Sequence, residues 1–147
     1  MIDYEMYVLC DSRTEETIYA FLNNCALNRR PLTDEYPIPE NSDNPTDIIY
    51  SEQEIFKKLV KDNHEAYAFY WNCDFPIKTA MLFFTEDGNL IVGLAVCEPY
   101  VQSYYQQILL SVKGSYGYVQ NAQEESPPPN CKSDFIKRAD DYSYWRQ

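Results

Sequence analysis

The sequence predicts an α+β domain, with an antiparallel sheet of four to five strands built on a central hairpin and packed with about three helices. Two apolar runs meet at Asp87-Gly88 within residues 77–97, which is the clearest hairpin signal in the chain. Residues 65–71 alternate in the manner of a strand and lead into that hairpin, so they predict a three-stranded meander. At 147 residues, the chain is expected to form one domain, 1–147.

The first half of the chain carries one further strand and two helices. Residues 4–10 alternate with a period of two and predict the first strand. A capping-box pattern at 12–15, with Ser12 as the N-cap, predicts a helix that ends near Asn28. Ser51, followed three residues later by Glu54, predicts the start of the second helix.

The hairpin has a predicted register. If Asp87-Gly88 forms a two-residue turn, Phe83 lies opposite Val92, and Gly93 belongs to a shallow face of the sheet. The small residues that share this face with Gly93 permit close approach of a helix. We therefore expect the helix predicted at 101–112 to cover that face.

The last third of the chain completes the architecture. Apolar residues recur with helical spacing over 101–112, and residues 115–122 alternate as a late edge strand. Residues 123–130 form a proline-rich connector to a C-terminal segment, where Ser133 is positioned to cap a short helix. The aromatic residues of the last six positions predict a tail docked on the body: Tyr142, Tyr144 and Trp145.

Composition restricts the compartment and the partners. The net charge of −11 disfavours nucleic acids and anionic membranes and favours a basic protein partner. Five cysteines without a C-x-x-C pair indicate free thiols in a reducing compartment. The first residues do not resemble a signal peptide, and no apolar run has the length of a membrane helix, so a cytoplasmic location is expected.

Motifs of known chemistry are not recognised in this sequence. His64 is the only histidine and has no sequence neighbour that forms a catalytic arrangement with it. Asp43, Asp47 and Glu54 have the outer spacing of a calcium loop, but Pro45 takes the position of a ligand. We therefore predict no catalytic, cofactor-binding or metal-binding residue.

The strongest functional signal is a long acidic, proline-containing loop at residues 27–50. Seven acidic residues and no Lys or Arg occur between Pro31 and Phe56. Stiff, anchored carboxylates bind a basic surface with little loss of entropy, although a charge run of this kind is also typical of a merely solvated loop. The predicted partner-binding residues are Asp34, Glu35, Tyr36, Glu40, Asp43, Asp47 and Tyr50.

In general style the chain resembles the bacterial cytoplasmic immunity proteins of polymorphic-toxin and contact-dependent inhibition systems. The resemblance rests on a small acidic domain, the aromatic-rich segments EAYAFYW and SYYQQILL, the loop DEYPIPENSDNPTD and the lack of catalytic motifs. It implies a binding protein that neutralises a basic cognate toxin.

Two other functions stay open. The chain is alternatively a small enzyme or ligand-binding domain with a dispersed site near His64 and Cys73. It is alternatively a homodimeric scaffold or regulatory subunit that pairs through the hairpin face or an edge strand.

Overall fold

The computed structural model describes residues 2–124 and 126–141, and it confirms the α+β class with about 35% helix and 31% strand. The described α-helices are α1 (Glu15–Cys25), α2 (Glu52–Lys61), α3 (Val101–Val112) and α4 (Lys132–Asp141). The described strands are β1 (Asp3–Leu9), β2 (Arg30–Pro31), β3 (Tyr36–Ile38), β4 (Asp47–Ile49), β5 (Tyr67–Asn72), β6 (Ile77–Phe84), β7 (Leu90–Cys97) and β8 (Tyr116–Asn121). None of the described helices has the length and apolar character needed to cross a membrane.

The main sheet has six strands in the order β2-β5-β6-β7-β1-β8, and the pairs are antiparallel. It is wider than predicted, because the two-residue strand β2 adds to one edge. The predicted meander forms its centre, and β8 is an edge strand, as expected. The N-terminal strand β1 lies between β7 and β8, a position that sequence periodicity does not specify.

The two faces of the sheet are covered unequally. Residues such as Val8 and Leu82 point into the main core, which contains apolar residues of α1, α2 and α3. Their neighbours Tyr7 and Met81 point to the other face, where Phe135 of α4 packs on Tyr118 with ring centroids 5.3 Å apart. The sheet is thus a middle layer, with three helices on one side and one on the other.

The hairpin turn is one residue longer than predicted. The Gly88 amide donates to the Thr85 carbonyl over 3.3 Å, and the Thr85 amide donates to the Asn89 carbonyl over 3.0 Å. Glu86-Asp87-Gly88 therefore forms a three-residue loop in which Gly88 has φ +86°, as such loops require. Phe83 lies opposite Ile91, so the predicted register is wrong by one residue.

This shift moves Gly93 off the shallow face of the sheet to which the predicted register assigns it. Gly93 pairs with Met81 on the face that also holds Tyr7, and α3 packs on the opposite face. A Cβ at Gly93 would lie 2.7 Å from Cδ1 of the Tyr7 ring. A side chain at position 93 is therefore excluded by Tyr7 on the neighbouring strand β1 and not by a helix.

The start of α1 also differs from the prediction. Thr14, not Ser12, is the N-cap, and its hydroxyl accepts from the Thr17 amide over 3.2 Å. Arg13, within the predicted capping box, is instead buried and its guanidinium lies 4.9 Å from the centroid of the Phe84 ring. The second helix begins as predicted, with Ser51 as its N-cap.

Arg13 binds backbone carbonyls from two separate segments. Its guanidinium donates to three carbonyls at and just beyond the end of α2, those of Leu59 (2.8 Å), Asp62 (3.0 Å) and Glu65 (3.0 Å). It also donates to the Thr85 carbonyl (2.7 Å) in the hairpin turn. One positive charge therefore satisfies the negative end of α2 and fixes this end against the hairpin.

The hairpin turn in turn holds α4. The Lys132 amide at the start of α4 donates to the Asp87 carboxylate over 2.8 Å, and the Glu86 amide donates to the Asn130 side chain over 3.1 Å. Burial alone would raise the pKa of Asp87, but the bonds from Lys132 and Thr85 outweigh it and hold the pKa below its ordinary value. Residues 126–130 connect to α4 without a helix or strand, and the tail predicted from Tyr142 onward lies outside the described residues.

We predict that Arg13→Ala lowers the free energy of unfolding by about 3 kcal/mol, because the buried carbonyls of Leu59 and Thr85 lose the guanidinium as a donor. Arg13→Lys should recover only part of this loss, since an ammonium has three donors and no planar fork. Urea unfolding of the three proteins checks the order. A loss below about 1 kcal/mol for Arg13→Ala would contradict the role given to this residue.

We predict that Gly93→Ala costs about 1–3 kcal/mol, because the added methyl group overlaps the Tyr7 ring. Combining it with Tyr7→Ala should relieve the overlap, so the two changes should not be additive. A thermodynamic double-mutant cycle measures this coupling. Additive losses would show that the strain arises from another contact.

Candidate functional site

Two clefts lie on either side of the segment 31–36, next to the β5 edge of the main sheet. The first, which we call the edge cleft, has a volume of about 440 Å³ and is lined by one length of β5 and by parts of residues 31–41. The second, the helix-side cleft, has a volume of about 520 Å³ and reaches the end of α1. Tyr36 and Trp71 line both clefts.

The small sheet β3–β4 positions the acidic loop above these clefts. Tyr36 pairs with Ile49, and Ile38 pairs with Asp47. Tyr36 and Ile38 are each only 5% exposed and anchor the small sheet in the main core. The Tyr67 hydroxyl donates to the Pro37 carbonyl over 2.8 Å, which ties the small sheet to β5. We call residues 33–50 the acidic ribbon.

The edge cleft exposes part of the backbone of β5. Pairing with β2 involves only Trp71 and Asn72, whereas pairing with β6 extends over the whole of β5. In the part of β5 beyond β2, the Ala68 amide donates over 2.9 Å to the carboxylate of Glu40. A side chain of the acidic ribbon thus takes the place that a strand carbonyl would occupy.

The edge cleft combines carboxylates with neutral phenols. Burial raises the pKa of Tyr36 to about 12, with Glu52 adding to the effect, and burial together with Glu40 raises the pKa of Tyr70. These hydroxyls stay protonated at neutral pH. Burial also raises the pKa of Glu40, and the Ala68 amide opposes this shift. The residues that line the edge cleft include Glu35 and Glu40 and no Lys, Arg or His.

A partly buried hydrogen bond joins two residues that line the helix-side cleft. The Trp71 indole N–H donates over 2.8 Å to the carboxylate of Glu52 in the first turn of α2. Arg29 lines this cleft and donates to the Leu22 and Ala26 carbonyls at the end of α1. This cleft therefore has mixed charge, whereas the lining of the edge cleft is acidic.

Five of the seven predicted partner-binding residues line these clefts. Glu35 and Glu40 line the edge cleft, Asp34 and Tyr50 line the helix-side cleft, and Tyr36 lines both. Asp43 and Asp47 lie exposed on the acidic ribbon away from the two linings. Tyr36 is a buried anchor and Glu40 is half-buried and hydrogen-bonded, so neither matches the free surface group that the sequence suggested.

The remaining acidic residues of the ribbon are available to a partner. Asp34, Glu35, Asp43 and Asp47 are exposed. Across residues 2–124 and 126–141, the ion pairs are Arg30–Asp74 and Lys78–Asp3, and none involves the ribbon. Exposed apolar side chains lie nearby: Leu32 and Tyr70 at the edge cleft, Leu27 and Tyr50 at the helix-side cleft, and Ile48 on β4.

The two residues named for a dispersed site lie at opposite ends of β5. His64 is exposed before the strand, and Cys73 follows its last residue. The described part of the chain holds no group of three or more His, Cys, Asp or Glu residues arranged to bind a metal.

Sequence reasoning missed the contribution of β5 and of the end of α1. The sequence patterns predict Tyr67, Ala68 and Tyr70 only as members of a strand, and Leu27 and Arg29 only as part of a loop. All five residues line the clefts. The alternation over 65–71 predicts the strand, but it carries no signal that β5 lies next to an edge. That position depends on strand order, which is a tertiary property.

The fold and these clefts define an acidic α+β domain with an incompletely paired sheet edge. Comparison with protein-family models, with curated proteins and with solved structures finds no match.

We predict that Glu40→Gln raises the melting temperature at pH 7. Glutamine keeps an oxygen acceptor for the Ala68 amide, and it removes a charge whose burial raises the pKa of Glu40 above its ordinary 4.5. A raised carboxyl pKa means that ionisation costs stability, so this cost is present above the folded-state pKa and disappears as pH falls below the unfolded value. The advantage of the variant should therefore vanish near pH 4. Thermal unfolding at both pH values measures it, and a less stable variant at pH 7 would contradict the assignment.

Proposed function

We propose that this chain is a binding protein that inhibits a basic protein partner, with the acidic ribbon and the two clefts beneath it as the contact surface. One observation carries the proposal: the ribbon presents exposed carboxylates that make no ion pair within the described residues, and exposed apolar side chains line the same clefts as two of them, Asp34 and Glu35. Charges of this kind accelerate encounter with a basic surface, and aromatic anchors supply the short-range contact.

Rigidity of the acidic ribbon supports this function. Tyr36 and Ile38 are fixed in the core, and the Thr46 amide donates over 2.8 Å to the Ile38 carbonyl, which closes the connection between β3 and β4. A surface that is already ordered loses little conformational entropy when it binds. Asp34, Glu35 and Tyr50 therefore present their side chains from a fixed backbone.

The class implied by the resemblance, an immunity protein that neutralises a basic cognate toxin, is the most specific form of this proposal. The size of the domain, its charge of −11 and its tyrosine content agree with a tight inhibitor. A nuclease or another enzyme that binds a polyanion carries the basic site that such a surface would cover.

We predict that replacing Asp34, Glu35, Asp43 and Asp47 together by lysine slows association with the basic partner by roughly tenfold or more at low salt. The melting temperature should change little, because these side chains are exposed and make no ion pair within the described residues. A basic protein recovered with the wild-type chain from its native cell serves as the partner, and stopped-flow mixing measures the rate.

The matched control reverses Asp11, Glu86, Glu98 and Asp141, which are exposed and lie outside the acidic ribbon. Each set of four reversals replaces four negative charges by four positive ones and changes the net charge from −11 to −3. The control should associate much faster than the ribbon variant. Equal rates for the two variants would show that net charge, and not this surface, controls the encounter.

A further inference from the structure

Beyond the acidic surface itself, the structure offers a strand-pairing site. The outer edge of β5 pairs with β2 only at Trp71 and Asn72, and the edge cleft lies along the rest of the strand. Along an antiparallel strand, the backbone groups of successive residues point alternately to the two neighbouring strands. The Ala68 amide donates to Glu40 on the side away from β6, so Ala68 and, by this alternation, Tyr70 direct their backbone groups outward.

Glu40 occupies one position of a β-ladder. An antiparallel neighbour would place a backbone carbonyl where the Glu40 carboxylate now accepts from Ala68. Burial makes this placement costly for a charged group, since it raises the pKa of Glu40. A neutral backbone carbonyl does not have this cost of burying a charge, so it can replace the Glu40 carboxylate as the acceptor of the Ala68 amide. The displaced carboxylate is then available to a cation.

The side chains of the edge cleft define the segment that fits. The lining combines aromatic and apolar surface, including Tyr70 and Leu32, with the carboxylates of Glu35 and Glu40 and no basic group. An extended segment with alternating apolar and basic side chains matches both the backbone edge and this charge. A small polar ligand would leave the strand edge unused.

We propose that the open edge of β5 binds an extended basic segment of the partner by strand addition, with Glu40 acting as a replaceable plug. This inference rests on the proposed function for the charge of the segment, whereas the strand pairing rests on the backbone of β5 alone. Strand addition gives affinity through main-chain hydrogen bonds and specificity through alternate side chains.

The test uses two synthetic peptides, acetyl-KVKVKVK-amide and the neutral acetyl-TVTVTVT-amide. Each is compared with a version that is N-methylated at its three central residues. N-methylation keeps the side chains and their charge, but it removes backbone N–H donors from both edges of the peptide strand. Two-dimensional NMR of the full chain follows the amides of Ala68 and Tyr70. We expect the basic peptide to shift these amides and to bind more tightly than the neutral one, and N-methylation to weaken binding at least tenfold.

Two variants refine the test. Glu40→Ala should strengthen binding of the neutral peptide severalfold, because the plug no longer competes for the Ala68 amide. Glu16→Ala, which removes an exposed glutamate of α1 outside the acidic ribbon and the edge cleft, serves as the matched control and should leave that binding unchanged. A Glu40→Ala variant that binds the neutral peptide no better than the parent would overturn the role of the plug.

Failure of this inference is distinguishable from failure of the proposed function. Basic peptides that bind the ribbon equally well with and without N-methylation would overturn strand addition and leave the acidic-surface function standing. Equal, methylation-sensitive binding of the neutral and basic peptides would support strand addition and overturn the basic partner. No binding of either peptide, or a dimer of the free chain that pairs through β5 in sedimentation and NMR, would overturn strand addition to a partner.

Discussion

The packing of this domain depends on the guanidinium of Arg13. It joins the end of α2 to the β6–β7 turn through backbone carbonyls, and that turn holds the start of α4 through Asp87. A helix end and a hairpin turn each leave backbone carbonyls without an intrasegment donor, and burying such a carbonyl without a hydrogen bond costs stability. Arg13 donates to carbonyls of both segments, and the same hairpin turn accepts from the start of α4. Arg13 and this turn therefore connect α2 and α4, which lie on opposite faces of the sheet.

The hydrogen bonds of Arg13 also fix the chain just before β5, the strand that lines the edge cleft. The Glu65 carbonyl, two residues before β5, is one of the acceptors of Arg13. At the other end of β5, Trp71 is fixed by Glu52 of α2. With both ends of the strand tied to α2, the acidic ribbon needs only Tyr36, Ile38 and the Tyr67–Pro37 bond to reach a fixed position above the clefts.

Local sequence patterns predict the helices and strands whose caps, turns and apolar periodicity are local. They do not predict the contacts that depend on residues distant in sequence. The hairpin, α2 and α3 follow from turn and cap residues and from apolar periodicity. The turn register failed because Asp87-Gly88 suits two loop lengths, and Thr85, whose hydroxyl accepts from the Asn89 amide over 2.8 Å, favours the longer one. Arg13 resembled a capping-box residue because its acceptors lie 46 to 76 residues away. The acidic residues of the site were visible in sequence, whereas the β5 edge required the strand order.

The position of β1 governs when the sheet can be completed during synthesis. Met6 lies opposite Leu94 on one side and Val119 on the other, so β1 can complete its pairing only after both β7 and β8 have been synthesised. The meander of β5, β6 and β7 can pair much earlier, since its partners are close in sequence. Until β7 has been synthesised, β1 lacks both of its partners in the sheet, and its edges are open to pairing with other chains during this interval.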